Sequence, residues 1–207
     1  MAHGTLLWMA DAGAVTDADL RRYLDWLTPA ELARHGRFVR DLRRRQFVAG
    51  RILLRMALGQ ILGVAPQQVL LEERTGQAPR LLTRAPGGVA PGFSIAHSGR
   101  WVACAVSEQY PVGLDIEMRD PARDLAALAL QAFEADEMAR WKAMERWPEA
   151  QRVDGFYRLW SEKEARFKLG LAAGGHCVTV PHAELSVVLC SAVALPSLPL
   201  PVVVALP

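Results

Sequence analysis

Between Phe47 and Leu62 apolar residues return at helical spacing. Phe47, Leu54, Leu58, Ile61 and Leu62 fall on one side and arginines take the other. Thr28-Pro29 supplies an N-cap with proline at the first helical position, and Glu31 follows in the first turn, so helix is predicted from Thr28 to Leu62. Gly36 and Gly50 speak against one unbroken run. Upstream, Leu6 to Ala10 reads as a first strand; it is too short for a signal core or a membrane span, and no basic segment precedes it. After Gly63 the pattern gives a strand at Val69 to Glu73, turn residues from Gly76 to Pro91, and strands at Phe93 to His97 and Trp101 to Ser107 around a Ser98-Gly99-Arg100 hairpin turn. A further strand runs from Val112 to Glu117. Helical spacing resumes from Asp124 to about Trp147 and from Gln151 to Leu169, with Pro148 between them. The charge-free run from Leu185 to Pro207 is punctuated by Pro196, Pro199 and Pro201, which predicts short strands around a proline-rich turn, not a spanning helix. This order predicts an α+β chain of two similar halves meeting near residue 110, although no internal sequence repeat accompanies it.

At 207 residues, 51% hydrophobic and 22% charged, the chain can bury one good core or two small ones. Cys104, Cys177 and Cys190 are odd in number and form no CxxC pair, which argues against a disulfide framework and a structural zinc site and predicts a reducing cytoplasm. A net charge of +2 predicts no nucleic-acid partner. The charge is unevenly placed, however. Arg34, Arg37, Arg40, Arg43, Arg44, Arg45, Arg51 and Arg55 face only Asp41 among acids of that stretch, so this segment should attract something anionic unless it is merely a solvated helix face.

Chemistry concentrates in three places. In Gly113-Leu114-Asp115-Ile116-Glu117, strand alternation sends Asp115 and Glu117 to one face while Leu114 and Ile116 go to the core. Two converging carboxylates repel unless a cation stands between them, and hard oxygen ligands suit Mg²⁺ or Mn²⁺; a solvated strand end is the plain alternative. In Trp160-Ser161-Glu162-Lys163-Glu164-Ala165-Arg166-Phe167-Lys168, Glu164 and Lys168 share a helix face, as in an ordinary surface ion pair, and Trp160 and Phe167 fall near the opposite side, expected to be buried. In Phe93-Ser94-Ile95-Ala96-His97-Ser98-Gly99-Arg100-Trp101-Val102, a strand-end histidine beside a Ser-Gly turn can reach a phosphate, or can be structural.

FSIAHSGRWV, then GLDIE, then LWSEKEARFK resembles, in order and separation, the three signature segments of the 4'-phosphopantetheinyl transferase superfamily, Sfp-type branch. Thr28-Pro29, Arg34, Phe38, Ala49-Gly50-Arg51 and Leu54-Arg55 resemble its N-terminal helical region, so the likeness covers about residues 28 to 170. The resemblance implies two α+β subdomains in pseudo-twofold arrangement, here residues 1–109 and 110–207, with coenzyme A in the cleft between them. It implies transfer of 4'-phosphopantetheine from coenzyme A to a serine of an apo acyl, peptidyl or aryl carrier protein, with release of 3',5'-ADP, by a cytoplasmic enzyme without nucleic-acid or membrane partners. Both halves of the cleft lying in one chain implies a monomer. Asp115, Glu117 and Glu164 would hold Mg²⁺, and Lys168 would meet the reacting phosphate. Ser94 and His97 would contact coenzyme A, as would Arg34 and, less directly matched, Arg45 and Arg74. The serine proton would pass to Glu164 or to a metal-bound water.

Two positions depart from the family's pattern. Ala96 stands where many relatives have serine, and Ala78 where they carry a lysine that binds coenzyme A, leaving Arg74 or Arg80 to compensate. A binding module without catalysis would have no use for the full acid set. An unrelated phosphotransferase would call for a GxxxxGK[ST] loop, which the chain lacks.

Overall fold

The computed structural model describes residues 4–74, 76–85, 88–170 and 175–207. Strand β1 (Leu6–Asp11) leads into α1 (Asp17–Leu24), a helix the apolar pattern did not suggest. Its signal is local: Thr16 and Asp19 form a reciprocal capping box. The basic segment divides into α2 (Pro29–Gly36) and α3 (Asp41–Leu62), breaking after Gly36, whereas Gly50 lies inside α3. Thr28 and Glu31 cap α2 reciprocally. The short strands β2 (Leu71–Glu72) and β3 (Arg80–Leu81) pair with each other, and β4 (Gly92–Ser98) and β5 (Trp101–Ser107) form the expected hairpin. Next come β6 (Val112–Met118), α4 (Leu125–Ala132), α5 (Ala135–Ala143) and α6 (Glu149–Leu169). The single helix expected up to Trp147 is two, because Phe133 takes extended geometry and turns its ring against Phe156, 5.3 Å away. Strands β7 (His176–Val180), β8 (Leu185–Ser191) and β9 (Val202–Val203) close the chain. No helix among the described residues is long and apolar enough to cross a membrane.

One sheet runs β4-β5-β1-β9 and a second runs β6-β8-β7. Within β4-β5-β1 and β7-β8-β6 the topology is the same: a first strand, a helical excursion, then a hairpin whose second strand pairs antiparallel with the first. Alternation explains the layers. On β5, Val102, Cys104 and Val106 pack under α3, while Trp101, Ala103 and Ala105 meet Leu114, Ile116, Val187 and Leu189 of the other sheet. On β8, Val188 and Cys190 face α6 instead. The molecule is thus an α+β stack of helix, sheet, sheet and helix. Strand β6 lies at a sheet edge, where backbone donors lack strand partners. The Leu114 and Met118 amides instead donate to Ser94 Oγ and Ser98 Oγ of β4, each at 2.9 Å. Those two serines fasten the halves together beside the acids.

The cysteine reading needs correction. Cys177 and Cys190 sit opposite each other in the β7–β8 register and are joined as a disulfide, with Cα atoms 4.0 Å apart. No local motif marks this pair; only strand register brings it together. Cys104 is the free cysteine, buried, its thiol pushed up to about 12 by burial and therefore inert. Alkylation of denatured, unreduced protein should add one label and alkylation after reduction three, read by intact mass. Three labels without reductant would show no bond. Closing the 13-residue separation should contribute about 3 kcal/mol, visible as a lower melting temperature in reductant.

Candidate active site

The acids are placed by a close approach of α6 to β6. Gly113 makes it possible: a Cβ there would stand 2.0 Å from the Ala165 carbonyl oxygen and 2.7 Å from the Leu169 nitrogen. The last turns of α6 therefore lie directly over the β6 face that carries Asp115. Asp115 is 5% exposed. The Lys168 ammonium donates to its Oδ1 at 2.7 Å and to the Leu114 carbonyl at 3.1 Å. Asp115 Oδ2 is enclosed without a hydrogen-bond partner. The Ser161 hydroxyl stands close enough to favour the ionised carboxylate, and Glu164 close enough to repel it. Burial raises the Asp115 carboxyl above its ordinary range, with Lys168 and Ser161 opposing and Glu164 adding. Burial likewise raises Glu117, against a 2.8 Å hydrogen bond from Ser98 Oγ and with repulsion from Asp115.

Asp115, Glu117 and Lys168 thus converge, and Glu164 stands one turn before Lys168 on the same helix. Lys168 pairs across to Asp115, not along the helix to Glu164; the i,i+4 pair on α6 is Arg166 with Glu162 at 2.9 Å. Among the described residues no group of three or more His, Cys, Asp or Glu side chains forms a ready cage for a metal. Magnesium seldom needs one, since it takes one or two carboxylates and completes its octahedron with water and substrate phosphates. The hard oxygens of Asp115 and Glu117, with Oδ2 unpartnered, fit that manner of binding.

Lys168 also lines a cavity of about 550 Å³. One wall comes from α2 and α3, through Arg34, Arg43, Phe47 and Arg51; another from the β2–β3 loop, through Arg74 and Ala78; a third from β4, through Ser94, Ile95 and His97. The Arg34 and Arg51 guanidiniums lie over the Phe47 ring at 5.7 and 4.8 Å, and both bind the Glu73 carboxylate. His97 keeps access to solvent, yet partial enclosure, followed by the charges of Arg43 and Lys168, pushes its imidazolium down to about 4, so the ring is neutral at neutral pH.

Of the residues expected at this site, Arg34, Arg74, Ser94, His97 and Lys168 line the cavity. Arg45 does not; it is held by Asp17 and the Val15 carbonyl. Arg74 reaches across to the Ala78 carbonyl at 3.0 Å, while Arg80 pairs with Glu72 on the surface and is absent from these walls. Ala96 is buried between the sheets, so a hydroxyl at that position would face the interlayer core. Phe167 overturns the expectation of a buried side: it is 82% exposed at the cavity rim, while Trp160, two turns earlier, is covered by Phe133 and Phe156. Sequence reasoning missed Ser98 and Phe47 as site residues and named Arg43 and Arg51 only as members of the basic segment. For the last three a finer signal existed, since positions 43, 47 and 51 form one i,i+4 stripe of α3.

Residues 14–109 match the family model described as 4'-phosphopantetheinyl transferase, N-terminal. The chain is 37% identical over 143 residues to the 4'-phosphopantetheinyl transferase HetI of a Nostoc species, a match covering 69% of this chain and 58% of that protein. It is 31% identical over 159 residues to the 4'-phosphopantetheinyl transferase psf-1 of Bacillus pumilus, covering 74% and 63%. To the 4'-phosphopantetheinyl transferase Sfp of Bacillus subtilis it is 26% identical over 147 residues, covering 71% and 61%. The chain therefore spans about three-fifths of the length of these curated relatives.

Proposed function

We propose that the chain is a member of the 4'-phosphopantetheinyl transferase superfamily and that it transfers 4'-phosphopantetheine from coenzyme A to a serine of an apo acyl, peptidyl or aryl carrier protein, releasing 3',5'-ADP. The observation that carries this reading is Lys168. It lines a cation-rich cavity and, with the same ammonium, binds the buried Asp115 carboxylate beside half-buried Glu117. A ligand rich in phosphates and reacting at one of them needs such a junction: fixed positive charge along its length and a charge-balanced end where the bond is exchanged.

In the reaction the carrier serine oxygen forms a bond to the phosphorus on the pantetheine side of the pyrophosphate, and the bond from that phosphorus to the bridging oxygen breaks. Charge accumulates on the departing 3',5'-ADP. Lys168 is held by Asp115 and the Leu114 carbonyl in one orientation, so its charge is available without reorganisation. Arg34, Arg74, Ser94 and His97 are the proposed contacts along coenzyme A, with neutral His97 able to donate one hydrogen bond to a phosphate oxygen. Arg45 keeps the role only if it leaves Asp17. Asp115 and Glu117 would hold Mg²⁺, with Glu164 as third ligand and as one candidate acceptor of the serine proton. When bound, the ion would supply Lewis-acid charge to the phosphoryl oxygens. Residues 1–109 and 110–207 are proposed as the two subdomains, acting as a monomer in the cytoplasm. A cytoplasmic thiol pool would act on the Cys177–Cys190 bond, which the alkylation experiment follows.

Incubation with apo carrier protein, coenzyme A and Mg²⁺ should add a phosphopantetheine mass to the carrier, and the increment should disappear in Glu164→Ala and on chelation of the metal. No increment across acyl, peptidyl and aryl carriers would reject the assignment.

A further inference from the structure

The arginines of α2 and α3 are not equivalent. Arg34 and Arg51 share Glu73, and Arg55 is paired with Glu31. Arg44 lies near Asp41 and donates to the Phe38 carbonyl, and Arg45 is held by Asp17. Arg43 differs. It lines the cavity, is half-buried, and has no carboxylate partner among the described residues. Its contacts are the Phe38 ring, 4.9 Å below its guanidinium, and the Gln46 Oε1 at 3.5 Å. Gln46 is fixed in turn by donating its amide to the Gly99 carbonyl at 2.7 Å.

A guanidinium withdrawn from water and left without an anion is unfavourable unless something anionic visits it. Arg43 is also surrounded by its own kind of charge: after loss of hydration, the largest influences on it are repulsion from Arg34 and Arg51. Its charge in turn reaches His97, alongside that of Lys168. Arg43 therefore shares the cavity with Arg34 and Arg51 and acts with Lys168 on His97. The geometry points to Arg43 as a phosphate-binding residue of the cavity, aligned by Gln46 and by stacking on Phe38, which would contact the phosphate chain of coenzyme A. This deepens the proposed function and rests on it for the identity of the ligand, though not for the chemistry of the anion.

The test is calorimetric titration of the full chain with coenzyme A, dephospho-coenzyme A and inorganic pyrophosphate, comparing wild type, Arg43→Gln, Arg43→Lys and the exposed control Arg146→Gln. Loss of one charge-assisted fork should weaken coenzyme A binding about 10- to 100-fold in Arg43→Gln, with Arg43→Lys recovering part of it and Arg146→Gln unchanged. In turnover the loss should fall on KM for coenzyme A, not on kcat. The melting temperature should stay level or rise, because an unpaired, repelled cation has been removed; a merely structural arginine would lower it. A loss that persists with dephospho-coenzyme A assigns Arg43 to the pyrophosphate, and one that vanishes assigns it to the 3'-phosphate. Wild-type binding of pyrophosphate but not coenzyme A, with the pyrophosphate affinity reduced in Arg43→Gln, would uphold the residue's role and reject the proposed substrate. Affinities within twofold of wild type for every probe would overturn the inference.

Discussion

Asp115→Asn should lower phosphopantetheinyl transfer by about 10³-fold without lowering the melting temperature. The two halves of that expectation come from one arrangement. Asp115 is enclosed between β6 and α6, its Oδ2 without a partner, and Glu117 and Glu164 press upon a site where Lys168 is the ammonium at hand. Burial outweighs the ammonium and raises the carboxyl. The folded state therefore holds this proton more tightly than the unfolded chain. The stability linked to Asp115 is present below the ordinary carboxylate range and is lost as pH rises through the raised folded value. Asparagine has no such loss. Lys168, with its side chain 29% exposed, can turn to water when its partner goes. In metal-free buffer, then, the variant should melt level with or above wild type at neutral pH, and the difference should close as pH falls into the ordinary carboxylate range. Activity should behave oppositely, because neutralising Asp115 removes the negative charge that holds Lys168 and one of the proposed hard ligands for Mg²⁺. Transfer within tenfold of wild type, by carrier mass or by release of 3',5'-ADP, would remove Asp115 from the reacting centre. A melting temperature well below wild type at neutral pH would show a structural carboxylate.

Much of this site could be read from local spacing because its key residues lie on regular elements. Strand alternation placed Asp115 and Glu117 on one face, and the same alternation put Leu114 and Ile116 into the interlayer core. Helical spacing put Lys168 on one helix face with Glu164, and the family resemblance alone joined that face to Asp115 and Glu117. What spacing could not supply was which partner Lys168 would take, since the i,i+4 neighbour Glu164 and the distant Asp115 differ only through the packing that Gly113 permits. The disulfide was hidden for the same reason: cross-strand register is a tertiary fact. Phe167 was misjudged because helix periodicity reports a shared side with Trp160 and not where the covering helices stop. The arginine segment was legible as charge but not as order. Its sorting into paired and unpaired members depends on Glu31 and Glu73, of which Glu31 reads in sequence as an ordinary first-turn acid.

Glu31 carries the largest expected cost to stability. It is 0% exposed, and its carboxylate serves several donors. Arg55 donates to it twice, at 3.1 and 2.6 Å; the Thr28 amide donates at 2.8 Å as half of the α2 capping box; and Arg51 Nε lies 3.1 Å away. Arg55 is 1% exposed and has no route to water. Glu31→Ala leaves that guanidinium buried without its counterion, and a buried pair broken on one side costs about 3–5 kcal/mol, with the lost cap adding about 1 kcal/mol. For a chain of this length the melting temperature should fall by roughly 8–24 °C. Glu31→Gln keeps volume and one acceptor and should fall by less. Two further variants separate charge from packing. Arg55→Met should relieve part of the defect when combined with Glu31→Leu, since exchanging both members of a buried pair for apolar residues is near neutral. Arg51 would then rest on Glu73 alone. A drop under about 3 °C for Glu31→Ala, below roughly 1.5 kcal/mol at this size, would show that the pair is dispensable. If the drop is large and the double exchange restores it, the acid's contribution lies in neutralising Arg55. Coenzyme A affinity in the restored variant then reports whether the same ion cluster also holds Arg34 and Arg51 at the cavity wall.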